Sequence, residues 1–198
     1  DIEMVKLGGM TPEERERYEK NKIEINKKVS SLIAEATKNA KLECCILCSK
    51  PCSSFCNSHS IPQFALKRIA EDGKVMLPLQ DEILTIGKDT GVNKAGTFHI
   101  ICRDCDSRTF QLYEDPNAYN SKPTDQMLAQ IALKDFLLMI SKRNQEREQY
   151  KLVGEQAEFL KDFADEKIYW GDFDLRDYGE DLEYARSSLD GRKSNRYY

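Results

Sequence analysis

The chain has 198 residues, enough to bury a core of its own, with 40% hydrophobic residues, 32% charged residues and a net charge of −4. That balance excludes a generic polyanion sponge, and no apolar run is long enough to span a bilayer or to act as a secretion signal. The acid excess falls after Lys151, so the middle of the chain is balanced and can present Lys67, Arg68, Lys74, Lys94, Arg103 and Arg108 to phosphate.

Asp1 to Gly9 reads as a loose leader. Thr11-Pro12-Glu13-Glu14 then opens a helix: Thr11 can cap, Pro12 fits the first turn and Glu14 completes a capping box. The helix is expected to reach about Lys38, packing through Ile23, Ile25, Val29, Leu32, Ile33 and Ala36. Leu42 to Asp115 is irregular and carries the cysteines. Within it, Pro62 starts a short helix, and Lys74 to Leu77 forms a strand after the Asp72-Gly73 turn. Gln80 to Asn93 is loop with room for one short strand, Thr97 to Ile101 is a β run, and Asp106 to Tyr113 is helical.

Turns follow at Asp115-Pro116-Asn117 and at Lys122 to Asp125. Thr124 caps an apolar helix through Met127, Leu128, Ile131, Ala132, Leu137 and Ile140, and a further helix is expected from Glu146 to Asp165. From Glu166 the chain is acidic and aromatic, expected to pack in the ordinary way or stay disordered, with nucleic-acid mimicry or partner docking as the alternative. It stops at Tyr197-Tyr198 without a stop signal, as a piece of a longer protein would. Three regions result: 1–41 as a helical extension, 42–118 as the cysteine-bearing core, and 119–198 as a helical C-terminal region. The flanks offer surfaces for a protein partner or a second copy.

Chemistry concentrates in two Cys-x-x-Cys pairs, Cys45/Cys48 and Cys102/Cys105. Clustered thiolates need a neutralising cation, and four of them suit one tetrahedral zinc at about 2.3 Å from each sulfur. A rival quartet takes Cys45, Cys48, Cys56 and His59, which would consume the histidine and leave Cys102 and Cys105 without a role. Seven cysteines with no secretion signal point to reduced thiols and bound zinc in the cytoplasm rather than to disulfides. Cys44, Cys52 and Cys56 are left as small packing residues or surface thiols, with a redox or zinc-sensing switch as the alternative. Asp106 follows the second pair at once and sets a hard oxygen ligand beside the soft site. His99 alternates with Phe98 and Ile100 and is read as structural or substrate-facing.

Between the pairs lies Asn57-Ser58-His59-Ser60-Ile61-Pro62, and before the second pair Lys94-Ala95-Gly96-Thr97-Phe98-His99-Ile100-Ile101. With Cys45-Ile46-Leu47-Cys48 and Cys102-Arg103-Asp104-Cys105-Asp106, this stretch resembles the HNH (His-Me finger) nucleases, over about Glu43 to Asp115. The resemblance implies an α+β, mostly helical protein whose ββα-metal core, around a four-cysteine treble clef, is flanked by long helices. It implies His59 as general base, Asn93 as the residue that orients the loop, and Asp106 as ligand to Mg²⁺ or another catalytic divalent cation. Arg103 or Arg108 would clamp the scissile phosphate, and the zinc at Cys45, Cys48, Cys102 and Cys105 would be structural.

The expected function is therefore metal-dependent hydrolysis of DNA, or RNA, in phage defence or restriction. Ser58, however, stands where many members of the family carry a ligating Asp, Glu or His. That departure supports the alternative of a non-catalytic zinc module that binds nucleic acid or a protein partner.

Overall fold

The computed structural model describes residues 11–77 and 88–194. It is mostly helical with two small antiparallel sheets. Among the described residues no helix is long and apolar enough to cross a membrane.

Helix α1 spans Pro12–Asn39 and begins with the expected capping box. Thr11 Oγ1 accepts from the Glu14 N–H at 3.2 Å, and the Thr11 N–H donates back to Glu14 Oε2 at 2.8 Å. Its packing face is shorter than the sequence suggests. Ala36 is buried and Val29, Leu32 and Ile33 are half-buried, but Ile23 and Ile25 lie open to solvent. Helix α1 rests on α5 (Asp125–Gln156) through its second half.

The central segment contains β1 (Ser58–His59), α2 (Gln63–Ile69), β2 (Lys74–Leu77), β3 (Lys88–Gly91), β4 (Thr97–Phe98), α3 (Arg103–Thr109) and α4 (Gln111–Glu114). Strands β1 and β4 pair antiparallel, with Ser58 opposite Phe98 and His59 opposite Thr97. Strands β2 and β3 form a second antiparallel pair, with Lys74 opposite Gly91. The expected loop from Gln80 to Asn93 thus contains a strand; its part at 78–87 lies outside the described residues.

The β run expected to reach Ile101 ends at Phe98 instead. Ile100 and Ile101 turn their carbonyls to the Ile46 and Cys56 N–H groups, at 3.1 and 2.8 Å. The backbone bonds that would have lengthened the strand tie it instead to Ile46, inside the first cysteine pair, and to Cys56. Helix α3 starts at Arg103 rather than Asp106, with Cys102 as its N-cap, and it breaks from α4 at the fully buried Phe110.

The C-terminal region is helical as expected, but its helix boundaries differ. Helix α5 runs unbroken through the polar stretch at 142–148, and α6 spans Lys161–Leu189. The acidic and aromatic segment after Glu166 packs as part of this long helix, lying against α5. Its acid is used there: Arg143 Nε meets Asp174 at 2.9 Å and Arg147 Nε meets Asp172 at 3.1 Å. Gly154 lets the helices close on each other, since a Cβ there would sit 3.3 Å from the Ala164 Cβ. One apolar core unites Cys45, Leu47, Phe98, Ile101, Phe110, Leu133, Leu137, Leu182 and Ala185. A smaller core holds Leu66, Val75, Val92 and Ala95.

Candidate functional site

The first cysteine pair sits on a tight knuckle. The Cys45 N–H donates to the Lys50 carbonyl at 2.9 Å, and the Ser49 N–H donates to the Cys45 carbonyl at 2.8 Å. Ser49 closes the turn with φ of 57°, a left-handed conformation uncommon for a residue with a Cβ. The second pair comes from the start of α3, with Cys102 at the cap and Cys105 on the first turn. Together Cys45, Cys48, Cys102 and Cys105 place four sulfurs within 4.8 Å of one another.

Four sulfurs around a tetrahedral zinc lie about 3.8 Å apart, and Cys48 Sγ is 3.9 Å from Cys102 Sγ. The four cysteines could hold a metal ion, and their geometry and softness suit zinc. The Cys102 N–H points at Cys45 Sγ from 3.3 Å. Burial pushes the Cys45 thiol up, but N–H groups of Cys102, Cys48 and Leu47 outweigh it and bring the thiol down to about 7. A backbone that already favours one thiolate suits a metal knuckle. Cys56 and His59 stand outside this quartet, so the rival set is not the one brought together. Cys44 is exposed and Cys52 is half-buried.

His59 lies half-buried on β1. Its Nε2 is 3.2 Å from the Val92 carbonyl. A carbonyl only accepts, so Nε2 carries the proton and Nδ1 keeps its lone pair in the neutral ring. Val92 is anchored by the small core and by its N–H on the Gly73 carbonyl at 3.1 Å. The next residue, Asn93, receives Asn57 Nδ2 on its carbonyl at 3.1 Å and Gln63 Nε2 on its side-chain oxygen at 2.7 Å. Asn93 therefore ties the loop before β4 to the residues flanking His59. Tyr113 braces the far side by donating its hydroxyl to the Ser60 carbonyl at 2.8 Å.

Asp106 is brought beside β1, but its carboxylate is already engaged. Oδ1 accepts from Ser58 Oγ at 2.6 Å and from Lys134 Nζ at 2.8 Å, while Oδ2 accepts from the Cys56 thiol at 3.3 Å. Burial alone would raise this carboxyl. Hydrogen bonds from Lys134 and Ser58, with the ammonium's charge, outweigh burial and hold it below the ordinary carboxylate range. Burial and the Asp106 charge push the Cys56 thiol up to about 11, so it remains a donor rather than a reactive thiolate. A hard divalent cation at Asp106 would sit against an ammonium on the same oxygen, so this donor set does not fit one as it stands.

Arg103 and Arg108 are both exposed on α3. Arg108 Nε donates to the Asp104 carbonyl at 3.1 Å, and the charge of Arg103 is felt at Cys56. His99 is exposed.

Lys134, Glu114 and the binding role of Ser58 are absent from the reading of the sequence. A signal for Lys134 does exist. Met127, Gln130, Lys134, Leu137 and Ser141 recur at alternating three- and four-residue steps, and all five are buried. Three polar residues on a core-facing seam mark a polar network beneath it. No family model matches this chain, and no curated protein or solved structure matches it either.

Proposed function

We propose that this chain is a zinc-braced nuclease of the HNH type, hydrolysing phosphodiester bonds in DNA with His59 as general base. The observation that carries the reading is the hydrogen bond from His59 Nε2 to the Val92 carbonyl. It orients the ring and leaves Nδ1 as the proton acceptor that an attacking water needs. The water's oxygen forms the new bond to phosphorus, its proton passes to Nδ1, and the 3′ oxygen leaves with the electron pair of the broken P–O bond. The β1–β4 pair followed by α3 supplies the ββα order, and Asn93 holds the loop that presents Val92.

Zinc, when bound by Cys45, Cys48, Cys102 and Cys105, supplies no reaction chemistry and fixes the start of α3 against the first knuckle. Arg103 and Arg108, exposed on α3, are the groups for the substrate phosphates. Asp106, with its Oδ1 on the Lys134 ammonium, serves as no ligand to Mg²⁺ in this reading. The cytoplasm, with its reduced thiols, is the compartment that suits such a site.

A second reading has its own support. The tie between Asp106 and Lys134 favours a zinc module that binds nucleic acid or a protein without cutting. The deciding experiment presents supercoiled, duplex, branched and single-stranded DNA, and RNA, to zinc-loaded wild type and His59→Ala. The nuclease reading expects cutting by the wild type and a loss of ~10²–10⁴-fold in the variant at equal zinc content. Binding by both proteins without cutting by either establishes the second reading.

A further inference from the structure

Lys134 projects from α5 into the cleft between β1, α3 and α4, and its side chain is 1% exposed. A buried ammonium is costly unless each of its three N–H groups finds an acceptor. Here each does. Nζ lies 2.7 Å from Ser58 Oγ, 2.8 Å from Asp106 Oδ1 and 2.9 Å from Glu114 Oε1. The remaining side of the charge faces Phe110, whose ring centroid is 4.1 Å away. Three oxygens from three elements thus converge on one buried cation, two of them from carboxylates. That is the donor pattern of a hard-cation site, but the cation is covalently attached to the chain.

We propose that Lys134 is a tethered substitute for a divalent cation, and that removing its ammonium opens a site for a hard divalent ion between Asp106, Glu114 and Ser58. The tether holds the β1 strand that carries His59 against α3 without a dissociable metal. One corollary, that hydrolysis at His59 proceeds without added Mg²⁺, rests on the nuclease reading above. The ion-binding claim does not.

The test is Mn²⁺ binding to the full zinc-loaded chain, read by electron paramagnetic resonance, because Mn²⁺ takes the same oxygen ligands. The wild type is expected to bind no Mn²⁺ at this place. Lys134→Ala is expected to gain one ion per chain, and Lys134→Ala with Asp106→Asn to lose it again. A wild type that binds an ion which Asp106→Asn removes overturns the proposal, as does a folded Lys134→Ala that binds none. If Lys134→Ala is unfolded with zinc present but without Mn²⁺, recovery of its structure on adding Mn²⁺ supports the proposal. Failure of both Lys134→Ala and Lys134→Met to fold with Mn²⁺ present overturns it. Cleavage assayed in parallel separates the two claims: absent cleavage with the expected Mn²⁺ results removes the nuclease and leaves the tether.

Discussion

Single residues carry unequal shares of this site, and exposure ranks them. Asp106 and Glu114 both hold Lys134, but their side chains are 16% and 44% exposed. Water can replace Glu114 more readily than Asp106, so Asp106→Asn is expected to cost more stability in urea unfolding than Glu114→Gln. Breaking a buried pair costs about 3–5 kcal/mol, and Asp106→Asn belongs near the lower end because Glu114 remains. The pH dependence has a defined sign. The Asp106 carboxyl is lowered in the folded chain, so its contribution is complete above the unfolded value of about 4 and is lost as pH falls through the lowered value. The stability gap between wild type and Asp106→Asn should therefore narrow as pH falls below about 4. A gap that widens in acid would contradict the assignment. Gly96 is a second critical residue, with φ of 62° and a position at which a Cβ would meet Ser60 Oγ at 2.8 Å. Gly96→Ala is expected to cost about 1–3 kcal/mol, and to reduce cutting by displacing β1.

The elements of the centre are too short to stand alone. Strands β1 and β4 have two residues each, and α3 has seven. Their stability has to come from the cysteine centre, from Lys134 and from the core above them. Stripping zinc with a strong chelator is expected to release one ion per chain and to lose protection of the β1–β4 amides in hydrogen exchange. Helices α5 and α6 should keep their protection, because Leu152, Leu182 and the Arg143–Asp174 and Arg147–Asp172 pairs do not depend on the metal. The same shortness decides what can be read in advance. Spacing exposes Cys45, Cys48, Cys102 and Cys105 because two x-x gaps survive any fold, and Thr11-Pro12-Glu13-Glu14 announces its own cap. The end of β4 and the start of α3 are hidden because the backbone partners of Ile100 and Ile101 lie more than forty residues upstream. The turn at 157–160 is hidden because it uses neither Gly nor Pro, while Gly154 serves helix contact instead. His59 is visible as a candidate base, but the carbonyl that sets its tautomer belongs to Val92 and appears only once the chain folds.

Across the whole molecule, the boundary expected near 118 is crossed by the core. Phe98, Ile101 and Phe110 share one cluster with Leu133 and Leu137 of α5 and Leu182 of α6. A chain of residues 42–118 is expected to remain unfolded with zinc, as judged by its amide spectrum, because it exposes that cluster and leaves Asp106 without its cation. A well-dispersed spectrum for that fragment would show a self-sufficient central unit. The chain's net charge of −4 is the acid excess carried after Lys151, much of it on α6, so it does not describe the face that bears His59 on β1. On that face His59 is the proposed base. The most direct test of that role is single-turnover cleavage of supercoiled DNA by wild type and His59→Ala at equal zinc, with and without free imidazole. Cutting by the wild type is expected, with loss of ~10²–10⁴-fold in the variant and partial recovery when imidazole fills the vacated place. Cutting by His59→Ala at the wild-type rate would contradict that role.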